Sequence, residues 1–227
     1  MFQNLIDIIA APSAAFARIK EKPVIWLPLL LILVLTASVQ LGYFLLNDEG
    51  FVKDTMLEQA TANPDMSQEQ RNAVEANIEN MNVNTIAISS AVAVLIVIPM
   101  IMALNAWYLS FMSKFSFTQL GWKHWFSLLC WTGIPGLFAV LASWVVLLTD
   151  SNGQVDQAAL QPLSIVSLLG IDTRNATLQQ FNLMQLWSMA LIVMGYHQWT
   201  QKSWFSSALI TLIPYVVLYG GIIFATL

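Results

Sequence analysis

The sequence predicts an all-α, polytopic membrane protein: a five-helix transmembrane bundle with an N-terminal interfacial helix and an extracytoplasmic helical hairpin. Three observations carry that prediction. Hydrophobic residues make up 57% of the 227 residues and charged residues only 10%, with a mean hydropathy of +0.66. Soluble domains carry about 25% charge, enough to keep a folded surface in water. Five stretches free of Asp, Glu, Lys and Arg approach or exceed the roughly 20 residues that a helix needs to cross about 30 Å of hydrocarbon. The basic residues between those stretches also fall mainly on one side. This composition excludes a soluble globular enzyme, a disordered chain and a fibrous repeat.

The five stretches are Ile25–Leu46, Ile86–Met112, Trp125–Thr149, Phe181–Trp199 and Trp204–Leu227. Backbone groups in lipid must bond within their own segment, so stretches of this length and texture read as helices. The alternation of a membrane barrel is absent. The first stretch follows Arg18, Lys20 and Lys22 as a signal peptide would. It is too long for a signal's apolar region and ends without a small-residue cleavage site, so it reads as a retained anchor. The fourth is diluted by Asn182, Gln185, Ser188 and His197, and its crossing decides on which side the chain ends.

Five crossings put residues 1–24, 113–124 and 200–203 on one side and 47–85 and 150–180 on the other. The first side holds Arg18, Lys20, Lys22, Lys114, Lys123 and Lys202; the second holds only Lys53, Arg71 and Arg174, with eleven of the thirteen acids. The positive-inside bias predicts a cytoplasmic N-terminus and an extracytoplasmic C-terminus. The whole chain, 1–227, reads as one membrane domain.

Outside the stretches, Phe2, Leu5, Ile6 and Ile9 form an apolar stripe at helical spacing, and Phe16 and Ile19 resume it after Pro12. Such an element ahead of a span lies in the interface plane; the sharper alternative is a docking face for a cytoplasmic partner. Trp26 fits a headgroup-level anchor. In 47–85, Ser67-Gln68-Glu69-Gln70 is a capping-box pattern and Val74, Ile78 and Met81 follow at helical spacing, predicting a helix over about 68–82. Asn63-Pro64-Asp65 signals a turn before it, so the segment reads as a helical hairpin. Its acidity lacks the spacing of a calcium loop and reads as a solvated face. Residues 158–170 are apolar but too short to span, which predicts an interfacial or re-entrant helix. Asn175-Ala176-Thr177 is a glycosylation triplet on the outer side.

Candidate chemistry is sparse. His124, His197 and Cys130 are the available nucleophile and base types, and a spacing of six from His124 to Cys130 places them on different helix faces. Cys130 has no second cysteine for a disulfide or thiolate metal site. No Walker-type glycine loop is present, so no catalytic residue, cofactor or metal is expected. The net charge of −4 gives no electrostatic footprint for nucleic acid. Ionisable residues inside spans mark ion paths, and no Asp, Glu, Lys or Arg falls in the five stretches. The polar residues that do are Gln40, Asn105, Ser143 and Gln185. Interhelical bonding accounts for them by default; alternatively Gln40, Asn105 and Gln185 converge on a polar cavity. Pro28, Pro99, Pro135 and Pro214 are candidate kinks, with Gly133-Ile134-Pro135-Gly136 the most breakable point. The small-residue pairs Ala87/Ala91, Ser89/Ala93 and Ala139/Ser143 permit close helix approach.

Three places in the chain resemble the bacterial branch of the Yip1-domain membrane proteins. They are the rhythm Phe2, Ile9, Pro12, Phe16, Ile19, Pro23, Trp26, Pro28; the stretch Asp65-Met66-Ser67-Gln68-Glu69-Gln70; and Ser167-Leu168-Leu169-Gly170 followed by Phe181, Trp187 and Gly195. The resemblance implies a five-span bundle without enzymatic activity. Eukaryotic members act in vesicle trafficking and bind prenylated Rab-type GTPases. This chain lacks their Asp-Leu-Tyr-Gly-Pro motif and their long cytoplasmic N-terminal region, so Rab binding does not carry over. The expected role is a membrane-organising, adaptor or scaffold component whose partners are membrane lipids and another membrane protein. The alternative is a transporter or flippase for a lipid or small apolar solute. The oligomeric state is left open.

Overall fold

The computed structural model describes residues 2–63, 65–116, 118, 120–171 and 181–225, and is all-helical with one isolated bridge, Ser164 to Asn182. Two short helices open the chain, α1 (Gln3–Ala10) and α2 (Pro12–Glu21). Pro12 starts α2 at a position whose N–H has no helical partner, so the proline separates the helices without disrupting either. The first long helix is α3 (Trp26–Leu46). Helices α4 (Glu49–Ala60) and α5 (Gln68–Glu79) follow, and then α6 (Val83–Ser113). The third apolar stretch is divided into α7 (Trp122–Thr132) and α8 (Gly136–Thr149) by a turn at 133–135. A single-turn helix, α9 (Ile165–Leu168), precedes α10 (Leu183–Thr200) and α11 (Trp204–Ala225).

Among the described residues, four helical segments are long and apolar enough to cross a membrane: Trp26–Leu46, Val83–Ser116, Trp122–Thr149 and Trp204–Gly221. Helix α10, on the fourth predicted stretch, is 18 residues long but less apolar than those four, because Gln185, Ser188, His197 and Gln198 lie along it. Some of its polar groups are bonded locally, while Gln185 bonds Tyr219 and Gln198 donates to the Ser13 carbonyl at 3.0 Å. The Asn182 side chain caps it by accepting from the Gln185 N–H at 2.8 Å, Ser188 donates to the Met184 carbonyl at 3.0 Å, and His197 Nδ1 lies 2.5 Å from the Lys202 carbonyl.

Two apolar clusters fix the direction of each helix. One joins Ile8 and Phe16 to Leu29, Leu109, Trp131 and Tyr196. The other joins Tyr43 and Phe44 to Val83, Leu147 and Leu160. The start of α3 therefore lies beside the end of α6, and its end beside the start of α6, so the two run antiparallel. Helices α10 and α11 are antiparallel too, since Gln185 bonds Tyr219 while His197 stacks on Trp204 at 4.0 Å. Helix α7 is the centre of the first cluster: every residue from Trp125 to Thr132 is buried. A helix apolar on all sides belongs inside a bundle.

The N-terminal element is two helices, and the Phe16 and Ile19 part of its stripe packs against the protein's own bundle. Ile8, Ala15, Phe16 and Ile19 are fully buried. Trp199 Nε1 donates to the Phe16 carbonyl at 3.1 Å, and Trp131 Nε1 to the Val24 carbonyl at 2.8 Å. Arg18 ties α2 back to α1 through Asn4 at 2.7 Å and Asp7 at 2.5 Å. The stripe is thus covered by the chain itself only in part: Phe2 and Ile6 stay exposed, as does Trp26.

In 47–85, α4 and α5 touch each other, and Lys53 Nζ donates to the Glu79 carbonyl at 3.1 Å. The capping box forms: Ser67 Oγ accepts from the Gln70 N–H at 3.2 Å, and Gln70 Oε1 from the Ser67 N–H at 2.8 Å. Residues 158–170 hold only α9 and turns, and an extended contact pairs Leu163 and Ile165 in their middle with Leu183 and Phe181. Asn175-Ala176-Thr177 lies outside the described residues.

Candidate functional site: a cavity among four helices

The break between α7 and α8 gives the bundle an interior space. Its residues bond at short range, Gly136 N–H to the Gly133 carbonyl and Leu137 N–H to the Ile134 carbonyl, both at 3.0 Å. This tight turn is what Gly133 and Pro135 allow at the end of a helix. Beside it, α6, α7, α10 and α11 line a partly open, mostly apolar cavity of about 260 Å³. Its apolar wall includes Ile101, Met102, Leu129, Ile192 and Pro214. Its polar groups are Asn105, Thr132, Ser188, Tyr215 and Tyr219.

Asn105, Thr132 and Ser188 are positioned by their own helices, and Tyr219 by α10. Asn105 Nδ2 donates to the Ile101 carbonyl one turn back at 3.1 Å, which leaves its Oδ1 and second N–H available. Thr132 and Ser188 donate to carbonyls of their own helices, at 3.2 and 3.0 Å, and keep their oxygen lone pairs. The Tyr219 hydroxyl accepts from Gln185 Nε2 and retains its own proton to donate. Phe181 packs against the Tyr219 ring at 4.4 Å, which fixes that side chain at the end of the cavity away from α2. In hydrocarbon, backbone and side-chain polar groups find partners inside the protein or line a cavity.

Of the three residues expected to converge, Asn105 lines the cavity and Gln185 reaches it through Tyr219, whereas Gln40 on α3 is not among the lining residues. Pro214 lines it directly, and Pro99 lies two residues before Ile101 inside an unbroken α6. Pro135 caps the start of α8 at the break. Pro28 sits in the first turn of α3, where a proline removes no helical bond. Ser143 is engaged elsewhere, donating to the Leu160 carbonyl at 2.6 Å. Sequence reasoning missed Tyr215, Tyr219 and Thr132. The signal for the first two was their spacing of four, which puts both hydroxyls on one face of α11 just beyond Pro214.

No catalytic constellation accompanies the cavity. The His197 ring is held between Lys202 and Trp204, and Cys130 is buried in the core. Neither histidine is paired with a carboxylate among the described residues. No group of three or more His, Cys, Asp or Glu side chains there could hold a metal ion.

Long apolar helices with apolar outer surfaces define an integral membrane protein of the polytopic α-helical class. Within that class the chain belongs to the Yip1 domain family, whose model matches residues 6–225, nearly the whole chain. No curated protein and no solved structure matches it. Yip1-domain proteins are generally non-enzymatic membrane proteins, and a membrane-associated role follows for this chain.

Proposed function

We propose that this protein is a non-enzymatic scaffold of the bacterial cytoplasmic membrane that organises the bilayer and docks another membrane protein. In this reading it crosses five times, with α10 as the fourth crossing, the N-terminus cytoplasmic and the C-terminus outside. The antiparallel pairing of α10 and α11 supports the odd count, because it sets the end of α11 opposite the N-terminal helices. The acidic α4–α5 segment then lies outside.

One observation carries the scaffold reading: the exposed face of α6. Ile88, Val92, Ile96, Met100, Leu104 and Trp107 recur at intervals of three or four along it, all exposed, while Ala87 and Ala91 are buried on the opposite side. The apolar run from Ile86 to Met112 extends about 40 Å at 1.5 Å per residue. That exceeds a hydrocarbon core of about 30 Å, and a helix with this mismatch tilts, thickens the bilayer or associates with a neighbour.

A photo-crosslinking residue placed at Ile96 or Leu104 in native membranes tests the reading. The expected product is an adduct with one membrane protein, absent when the probe is moved to Val145 on α8, which is also exposed. Lipid adducts alone at every position, with recovery of a bare monomer in mild detergent, would contradict it.

The cavity favours a second reading, transport of a lipid or small apolar solute, since broken and proline-containing helices around a midplane site are the layout that alternating access uses. Vesicle scrambling or uptake that depends on Asn105 is its test.

A further inference from the structure

We propose that the cavity between α6, α7, α10 and α11 binds an uncharged amphiphile whose head is a free hydroxyl, a lipid of the long-chain alcohol kind. The proposal uses the same cavity as the transport reading but concerns binding alone, and holds whether or not the ligand is moved.

The lining selects the head group. No carboxylate, ammonium, guanidinium or imidazole is among the lining residues, so a phosphate or quaternary amine would enter without a counter-charge. Stripping an ion of water at this depth is costly, whereas a single hydroxyl needs only hydrogen bonds. The wall supplies both kinds. Asn105 offers a free Oδ1 and a free N–H, Tyr219 offers its proton, and Ser188 offers lone pairs. A hydroxyl, donor and acceptor at once, matches that mixture, while an ester carbonyl could only accept.

The remaining wall selects the tail. Ile101, Met102, Leu129 and Ile192 present hydrocarbon to whatever carries the hydroxyl. A volume of about 260 Å³ lies just below the range of small-molecule pockets, enough for a head group and part of one chain. Helices α6 and α11 touch over only a short stretch, which leaves a path between them for the rest of the chain to reach the bilayer.

The test uses the full-length protein in phosphatidylcholine nanodiscs and two photoreactive probes with the same diazirine-bearing chain, hexadecanol and hexadecylphosphocholine. The alcohol is expected to label the segments 101–105 and 214–219, and unlabelled hexadecanol is expected to compete. The phosphocholine probe is expected to label only outward-facing positions such as Leu95. Asn105→Leu should lower alcohol labelling about fivefold, the ratio one hydrogen bond is worth. Ser188→Ala, a smaller change, should lower it in the same direction and serves if the first variant does not fold. Equal labelling of the lining by both probes, labelling that unlabelled alcohol does not compete, or no labelling of those segments would overturn the proposal. Because the readout is binding, a negative scrambling assay alongside positive labelling would remove the transport reading and leave this one standing.

Discussion

The Asn47 side chain grips the backbone of Val155 at both of its polar groups: Nδ2 donates to the Val155 carbonyl at 3.1 Å, and Oδ1 accepts from the Val155 N–H at 2.9 Å. The amide replaces a strand partner for one residue of a loop that has no sheet. It fastens the end of α3 to the segment after α8, where Val155 and Leu160 are buried. Asn47→Ala leaves both backbone groups of Val155 unpaired in a buried site. The expected loss is about 1–3 kcal/mol of stability, read as a lower midpoint for unfolding in detergent. A midpoint within error of the parent would show that water satisfies Val155 equally well.

Gly42 and Trp144 set how closely α3 and α8 approach. A Cβ at Gly42 would lie 2.8 Å from the Trp144 ring, and that ring is held in place by its Nε1 bond to Ser38 Oγ at 3.0 Å. Two effects oppose each other in Gly42→Ala. Helix propensity favours alanine by about 1 kcal/mol, while overpacking a rigid ring costs about 1–3 kcal/mol. Steric cost should prevail, and the variant should unfold earlier than the parent. Gly136→Ala is the control, because nothing lies within 4 Å of its Cβ. It should be neutral or stabilising in the same assay.

The docked N-terminal helices give a labelling prediction. In a Cys130→Ser background, Ile6→Cys should react quickly with a water-soluble maleimide and Ala15→Cys slowly, since Ile6 is 69% exposed and Ala15 is 0% exposed. Adding Phe16→Ala removes a ring buried beside Trp199 and should cost about 3–5 kcal/mol locally. The slow site should then become fast. Equal rates at both sites in the unaltered bundle would mean that α1 and α2 are not docked.

Several of these features were legible in the sequence and others could not be. The long apolar helices and the Ser67–Gln70 capping box depend on neighbours within a turn or two, so local pattern was sufficient. The stripe on α1 and α2 was legible as a face, but periodicity says nothing about what covers a face, and here it is Trp199 and α7. The dilution of α10 was also visible. Its resolution was not, because the Tyr219 that answers Gln185 lies 34 residues further along. The cavity is the extreme case: Asn105 and Tyr219 share it only because four helices pack around the break at Gly133.

Whether α10 crosses the membrane decides the account more directly than any stability measurement, because the cavity, the odd count and the outer position of the C-terminus all follow from it. Paired topology reporters fused after Lys202 and after Leu227 measure it. The account predicts a cytoplasmic signal at Lys202 and an extracytoplasmic signal at Leu227, with the N-terminus cytoplasmic. A cytoplasmic signal at Leu227, on the same side as the first residue, would contradict it.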